Sequence, residues 1–457
     1  MKPLKLLPLV VASLLALPAH AAVDLIAIDG LSAHGRDLSP QTAAPLENGA
    51  PGNLLGGLGS GFTHAGGTTY LALPDRGPNA QSYDASVDHT TSYIPRFQTL
   101  RIVLSPNAAG DVLPFTVTPT LTGTTLLHSA RALKYGEGGS PALNAYHHTH
   151  YFTGRSDGFD PSRWSTDPLD ARLDPESIRV SHDGSSIFVS DEYGPYVYRF
   201  NRRTGQRTGI YRLPEEFAVN LLSSVGDTEI AHNGAGRVAN KGMEGLAISP
   251  DGKALFGIMQ SPLLQDGGTS AAYTRIVRID LETGATQQFV YPLSNIGSAS
   301  KPKYPTVSDI VAINRHEFLV DERDGKGLGD NSVAAFKRLY RIDLAGATDV
   351  SGLTGASALA PHAVGKTLFL DIVQKLTAFG IPAQDIPAKL EGISFGPDVV
   401  IDGVRKHTLF VVNDNDFLPT ITDSLHPAGV DNPNLFFVFS VDATDLPTYV
   451  PQKLAKR

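Results

Sequence analysis

Two ungapped stretches of this chain repeat one another around an Asp-Gly turn, and that restricts the fold more than any other feature. Glu176–Asp191 aligns with Glu244–Met259, and alternating apolar residues flank Asp183-Gly184 in one and Asp251-Gly252 in the other. Asp-Gly between alternating apolar runs is a strong short-range hairpin signal. Each turn is central, so folding places Glu176 opposite Asp191 and Glu244 opposite Met259. The same geometry recurs in Glu391–Asn413 around Asp402-Gly403, in Asp309–Asp321 around Arg315, and in Leu58–Asp75 around Gly66-Gly67. A further strand follows most hairpins: Tyr196–Asn201, Arg275–Asp280, Arg338–Asp343 and Asn434–Phe439.

A hairpin with an outer strand, repeated about every 60–100 residues, is the pattern of a β-propeller with uneven insertions. The expectation is an all-β propeller of about six blades, one of them degenerate, in a single domain over residues 22–457. Val23–Ile28 would close the ring against the C-terminal strands. Residues 124–170 lack the blade period and are expected to form a loop or cap. Apolar residues near helical spacing predict a short helix within Leu368–Phe379. Two packed sandwiches are the alternative fold.

The chain starts with a short basic segment containing Lys2 and Lys5, followed by the apolar run Leu6–Leu17 and then Ala19-His20-Ala21. That is the pattern of a cleaved signal peptide over residues 1–21, cut after Ala21. The run is too short to cross a bilayer, which takes about 20 residues. A periplasmic or extracellular protein without membrane insertion is expected. With no cysteine there is neither disulfide nor thiolate chemistry, so any metal must use oxygen or imidazole ligands. The 46 acidic residues exceed the 38 Lys and Arg, and a net charge of −8 argues against nucleic acid as a partner.

Radial stacking of such hairpins would gather their bases at one mouth of a central channel. Glu176, Asp191, Glu192, Glu244, Asp309, Asp321, Glu322, Glu391, Asn413, Asp414 and Asp416 would converge there with Asp75 and Arg76. Crowded carboxylates raise one another's pKa unless a cation neutralises them. Ca²⁺, with six to eight oxygen ligands, suits such a set, and another divalent cation is the alternative. The expected ligands are Glu176, Asp191, Glu192, Asp321, Glu322, Glu391, Asn413 and Asp414. Glu176, Glu244 and Glu391 are the expected catalytic residues, and Arg76, Lys241 and Arg323 the groups that would hold an anionic substrate. The same acids could instead cap strands and pair blades. His147-His148-Thr149-His150 could ligate a transition metal but reads more simply as a polar surface tract. Gly59-Ser60-Gly61 lacks the frame of a nucleophile elbow, and Leu55–Gly61 lacks the ending of a phosphate loop.

Pro175-Glu176, Ser190-Asp191-Glu192-Tyr193-Gly194-Pro195, Gly242-Met243-Glu244-Gly245, Asp321-Glu322-Arg323 and Glu391-Gly392-Ile393 together resemble the phytase-like family. These are exported bacterial propellers described by an "esterase-like activity of phytase". Gly56-Gly57-Leu58 and Asp75-Arg76-Gly77-Pro78-Asn79 are similar to that family's first blade, and the resemblance covers most of residues 50–445. It implies a propeller fold; from the acids and arginines a small anionic or ester substrate is expected, and the protein is expected as a monomer. The Asp-Ala-Asp-Asp-Pro-Ala segment of calcium-dependent propeller phytases is absent, which argues against direct phytate hydrolysis. The leading expectation is a metal-dependent hydrolase of a phosphate ester or related ester. The alternatives are a non-catalytic envelope propeller that binds a ligand or protein, and a lactonase-like hydrolase.

Overall fold

Alternation sends successive side chains of a strand to opposite faces, and here both faces of nearly every inner hairpin are apolar. In the second blade Ile187 and Val189 pack with Leu71, Leu73 and Phe97 of the first, while Phe188 packs with Leu246 and Leu255 of the third. A sheet buried on both sides needs a neighbour on each side, and a ring provides both. The computed structural model describes residues 23–80, 90–145, 148–157 and 164–455. The expected signal peptide and its cleavage after Ala21 lie outside them.

Five four-stranded antiparallel sheets form the ring. Their innermost strands are Gly61–His64, Pro175–Val180, Met243–Ile248, Thr306–Ala312 and Lys389–Ile401. Each contacts the next, and the last contacts the first. Val23–Leu31 pairs antiparallel with Asn434–Asp442 and supplies the outermost strand of the fifth blade, as the sequence predicts. Five apolar cores fill the five gaps between blades.

The blade number is five and not six. The residues available for a sixth blade go into connections, above all 127–174, whose described part holds only the two-stranded ribbon His128–Ser129 with His150–Tyr151 and two 3₁₀ turns. The helix expected over Leu368–Phe379 is Ile372–Phe379, because Lys366–Asp371 is the outer strand of the fourth blade. Asp371 ends that strand and caps the helix by accepting from Gln374 N–H.

Four of the five inner strands begin with a register shift against their partners: at Pro175/Ile178, Met243/Gly245, Val307/Asp309 and Leu390/Gly392. These bulges correct the expected pairing, because Asp191 lies opposite Pro175 and not Glu176. A bulge re-aims one side chain out of the ladder. The residues so released are Glu176, Glu244, Ser308 and Glu391. The inner strands then approach closely: a Cβ on Gly245 would lie 2.8 Å from Asp309 Cα, and one on Gly392 2.7 Å from Phe62 Cβ.

Below the bulges a single ion pair ties the ring together at its axis. Arg179 donates to both carboxylate oxygens of Asp309 at 2.8 Å. Asp309 also accepts from Ser177 Oγ in the second blade, Leu246 N–H in the third and Ile393 N–H in the fifth. Arg179 further donates to the Phe62 carbonyl of the first blade and the Ile310 carbonyl of the fourth. One buried pair therefore contacts all five inner strands.

Candidate metal centre at the channel mouth

The starts of the inner strands and the ends of their hairpin partners surround one mouth. Asp75, Asp174, Glu176, Glu192, Glu244, Glu391, Asp414 and Asp416 outnumber Arg76, Lys241, Arg323 and Lys389 there by two to one. Three groups of carboxylates each bring ligand atoms within 4.8 Å of one another: Asp75 with Asp414 and Asp416, Asp75 with Asp174 and Glu176, and Glu176 with Glu192 and Glu244. Shared members join the groups into an arc across the fifth, first, second and third blades.

The cations lie among these acids. Arg76 Nη1 donates to Asp174 at 2.6 Å and to Asn240, and lies 3.8 Å from Glu192. Arg323 pairs with Glu391 and donates to Ser308 Oγ at 2.8 Å. Lys389 binds Asp414 at 3.1 Å and also Asp416. Lys241 bonds a neutral group, Gln260 Oε1 at 2.9 Å. One oxygen of Glu244, Oε2, is buried without a hydrogen-bond partner.

Protonation responds to this crowding. Burial, then Glu244 and Asp174, hold the Glu176 carboxyl well above its usual range. Burial, then Glu192 and Glu391, do the same to Glu244, and burial with Asp414 does so to Asp75. Burial pushes Glu192 and Asp414 up to about 7 despite Arg76 and Lys389 respectively. Burial lowers Lys241 against the pull of Glu192 and Glu244.

The linkage to stability has a definite sign. Unfolded carboxylates release their protons near pH 4, whereas folded Glu192 and Asp414 keep theirs to about 7. Between those limits the folded state binds more protons, so its stability falls as pH rises. In chelator the melting temperature should therefore drop between pH 5 and pH 8, and millimolar Ca²⁺ should reduce the drop. A flat or rising profile in chelator, from scanning calorimetry, would contradict the crowding.

The other expected ligands are placed differently. Asp191 Oδ1 accepts from Asp174 N–H and Tyr193 N–H at 3.2 and 3.0 Å, which shapes the wall behind the arc. Asp321 is fully buried toward the fifth blade, with both oxygens unpartnered, and burial holds it well above the usual range. Glu322 turns the other way, to Tyr291 Oη at 2.6 Å, Ser294 N–H and Lys366. Asn413 bonds the Pro433 carbonyl and Leu435 N–H. Glu391 sits at the mouth but is held by Arg323. None of these five belongs to an acid group among the described residues. His147 lies outside the described residues, His148 is exposed, and His128 packs edge-on against Tyr151. Asp174 and Lys389 belong to the site although the hairpin pattern does not select them. Each stands two residues before a bulged glutamate, Glu176 or Glu391, and that spacing is the signal for them.

Comparison with known proteins gives a family. The phytase-like family, described as "Esterase-like activity of phytase", matches residues 53–417. An uncharacterized secreted protein of Arthroderma benhamiae is 34% identical over 135 residues, which is 26% of this chain and 26% of that protein. The match thus spans about a quarter of the length of that curated relative. A periplasmic gluconolactonase of Pseudomonas aeruginosa aligns over 86% of this chain and 92% of its own, at 12% identity and a TM-score of 0.31. A PQQ-bound aldose sugar dehydrogenase of Streptomyces coelicolor aligns over 82% and 76%, at 11% identity and a TM-score of 0.29. Overlays at such scores add nothing to the fold described above.

Proposed function

The chain belongs to the phytase-like family, and from that premise we propose that it is an exported hydrolase of phosphate esters or related esters, working at the acidic mouth with a divalent cation, Ca²⁺ foremost. Export is supported by the description of the Arthroderma benhamiae relative as secreted, and among the described residues no helix is long and apolar enough to cross a membrane. The observation that carries the proposal is the surplus of buried carboxylate, with Glu244 Oε2 unpartnered inside it. An all-oxygen donor set fits a hard cation.

Glu176, Glu192 and Glu244 would hold the cation, with Asp75 and Asp174 beside them. Bound there, it would supply positive charge to polarise a phosphoryl or carbonyl oxygen. Lys241, whose partner is neutral, orients an anionic substrate. Arg76 and Arg323 hold Asp174 and Glu391 in place, and can share donors with an anion at the mouth. Asp414, outside the trio that would hold the cation, is suited to exchange a proton near neutrality. The Asp309–Arg179 pair floors the site, so a small substrate enters and leaves by the mouth. The protein acts as a monomer.

The test is turnover of an aryl phosphate and of an aryl acetate by purified protein. Release of the aryl alcohol should be at least about tenfold faster in Ca²⁺ than in chelator, as expected when a cation carries the charge stabilisation. Equal rates, or none with either ester, would refute the reading. One observation favours a non-catalytic envelope binding protein instead: both mouth arginines are already bonded to carboxylates. Saturable ligand binding without turnover would support that alternative.

A further inference from the structure

Two successive residues at the edge of the acid arc, Asp416 and Phe417, have φ values of 51° and 55°. Left-handed backbone is unfavourable for any residue with a Cβ, and a bulky aromatic there is an outlier that its surroundings must enforce. Asp416 contributes its carboxylate to the group with Asp75 and Asp414, and its N–H donates to Asp414 Oδ1 at 2.8 Å. Phe417 is buried, and its ring lies over Gly56 and Gly57. A Cβ on Gly56 would meet that ring at 2.8 Å, and one on Gly57 at 2.7 Å. Both glycines therefore make room for one side chain.

The same ring meets Tyr93 edge-on, with centroids 5.1 Å apart. Tyr93 in turn covers Gly77, where an added Cβ would lie 2.3 Å from the ring. Gly77 N–H donates to Asp75 Oδ1 at 2.9 Å. Asn415 Oδ1 joins the two sides, accepting from Gly57 N–H at 2.8 Å and Phe417 N–H at 3.2 Å. A small aromatic wedge thus lies behind two acids of one group, Asp75 from the first blade and Asp416 from the fifth.

We infer that Phe417 is a positioning residue of the acidic site: its ring, seated on Gly56-Gly57 against Tyr93, holds Asp416 in the left-handed turn that brings its carboxylate to Asp75 and Asp414. The inference rests on the proposed cation at this mouth. Asp416 reaches that cation through Asp75, the acid its group shares with Asp174 and Glu176. Removing an outer group that orients ligands costs about 10-fold to 100-fold in metal affinity. Phe417→Leu keeps apolar bulk but loses the flat ring. Gly56→Ala presses on the ring and on the Phe417 Cα, 2.8 and 2.9 Å from the added Cβ, while leaving every acid unsubstituted.

Isothermal titration of Ca²⁺ into the full-length protein, beside melting curves in chelator, tests it. Wild type should bind, and both variants should lose about tenfold or more in affinity. Combined in one chain they should lose less than the sum of their separate free-energy costs, because they act on one contact. If Phe417→Leu does not fold, Gly56→Ala alone decides. Wild-type affinity with a lowered melting temperature would make the ring merely structural and overturn the inference. Absence of Ca²⁺ binding to wild type would instead remove the cation reading, and the inference with it.

Discussion

Asp309→Ala should cost about 3–5 kcal/mol of stability, the range found when a buried pair loses one partner. The substitution strands the Arg179 guanidinium at the axis of the ring. It also leaves the N–H groups of Leu246 and Ile393 without their acceptor. Every blade contributes to this pair, so the loss should appear as a lower urea midpoint for the whole molecule, not as local fraying. Replacing both partners together, Asp309→Leu with Arg179→Met, should recover much of the loss, since no unpaired charge remains. A single Asp309→Ala variant within about 1 kcal/mol of wild type, the usual worth of an exposed pair, would contradict the axial role.

Glu176→Gln should have effects of opposite sign with and without a cation. In chelator it relieves repulsion among buried carboxylates, so the melting temperature should rise. In Ca²⁺ it removes a charged ligand shared by two acid groups, and affinity should fall about tenfold or more, equivalent to about 1.4 kcal/mol of binding. Wild type at a hundredfold excess over Kd gains about 2.7 kcal/mol by linkage, and the variant forfeits much of that. Glu244→Gln should behave alike. Glu391→Gln should differ, because it breaks the pair with Arg323 and so lowers stability in chelator as well. Calorimetric melting of the three variants in both conditions separates these outcomes. Uniform destabilisation in chelator would reassign Glu176 to a structural cap.

Much of this architecture can be read in the chain. Asp-Gly turns centred in apolar hairpins give the blades, and Val23–Ile28 reads correctly as the closing strand. The blade number does not follow from spacing, because insertions such as 127–174 are as long as a blade while adding none. Hairpin symmetry pairs Asp309 with Asp321 correctly but misplaces the pairing by one residue in the second, third and fifth blades. It has no term for a bulge, and the bulges are what turn Glu176, Glu244 and Glu391 toward the axis. Glu322 and Asn413 show the other limit. Each adjoins an acid, Asp321 or Asp414, yet neighbours on a strand face opposite ways, so selecting such pairs together guarantees that one points elsewhere. Ser308 stands where other blades carry glutamate, which leaves the fourth blade out and the acids on an arc and not a full circle. Gly56-Gly57 looks like a loop motif in the sequence. Its partner, Phe417, is some 360 positions away, and only the folded ring brings them together.

The central claim is a divalent cation held by Glu176, Glu192 and Glu244. A crystal of the full-length protein soaked in Ca²⁺ and measured for anomalous scattering tests it most directly. The account predicts an anomalous peak between these carboxylates, at oxygen distances of about 2.3–2.6 Å. Protonated carboxyls bonded to one another or to water, with no peak at the mouth in millimolar Ca²⁺, would contradict it.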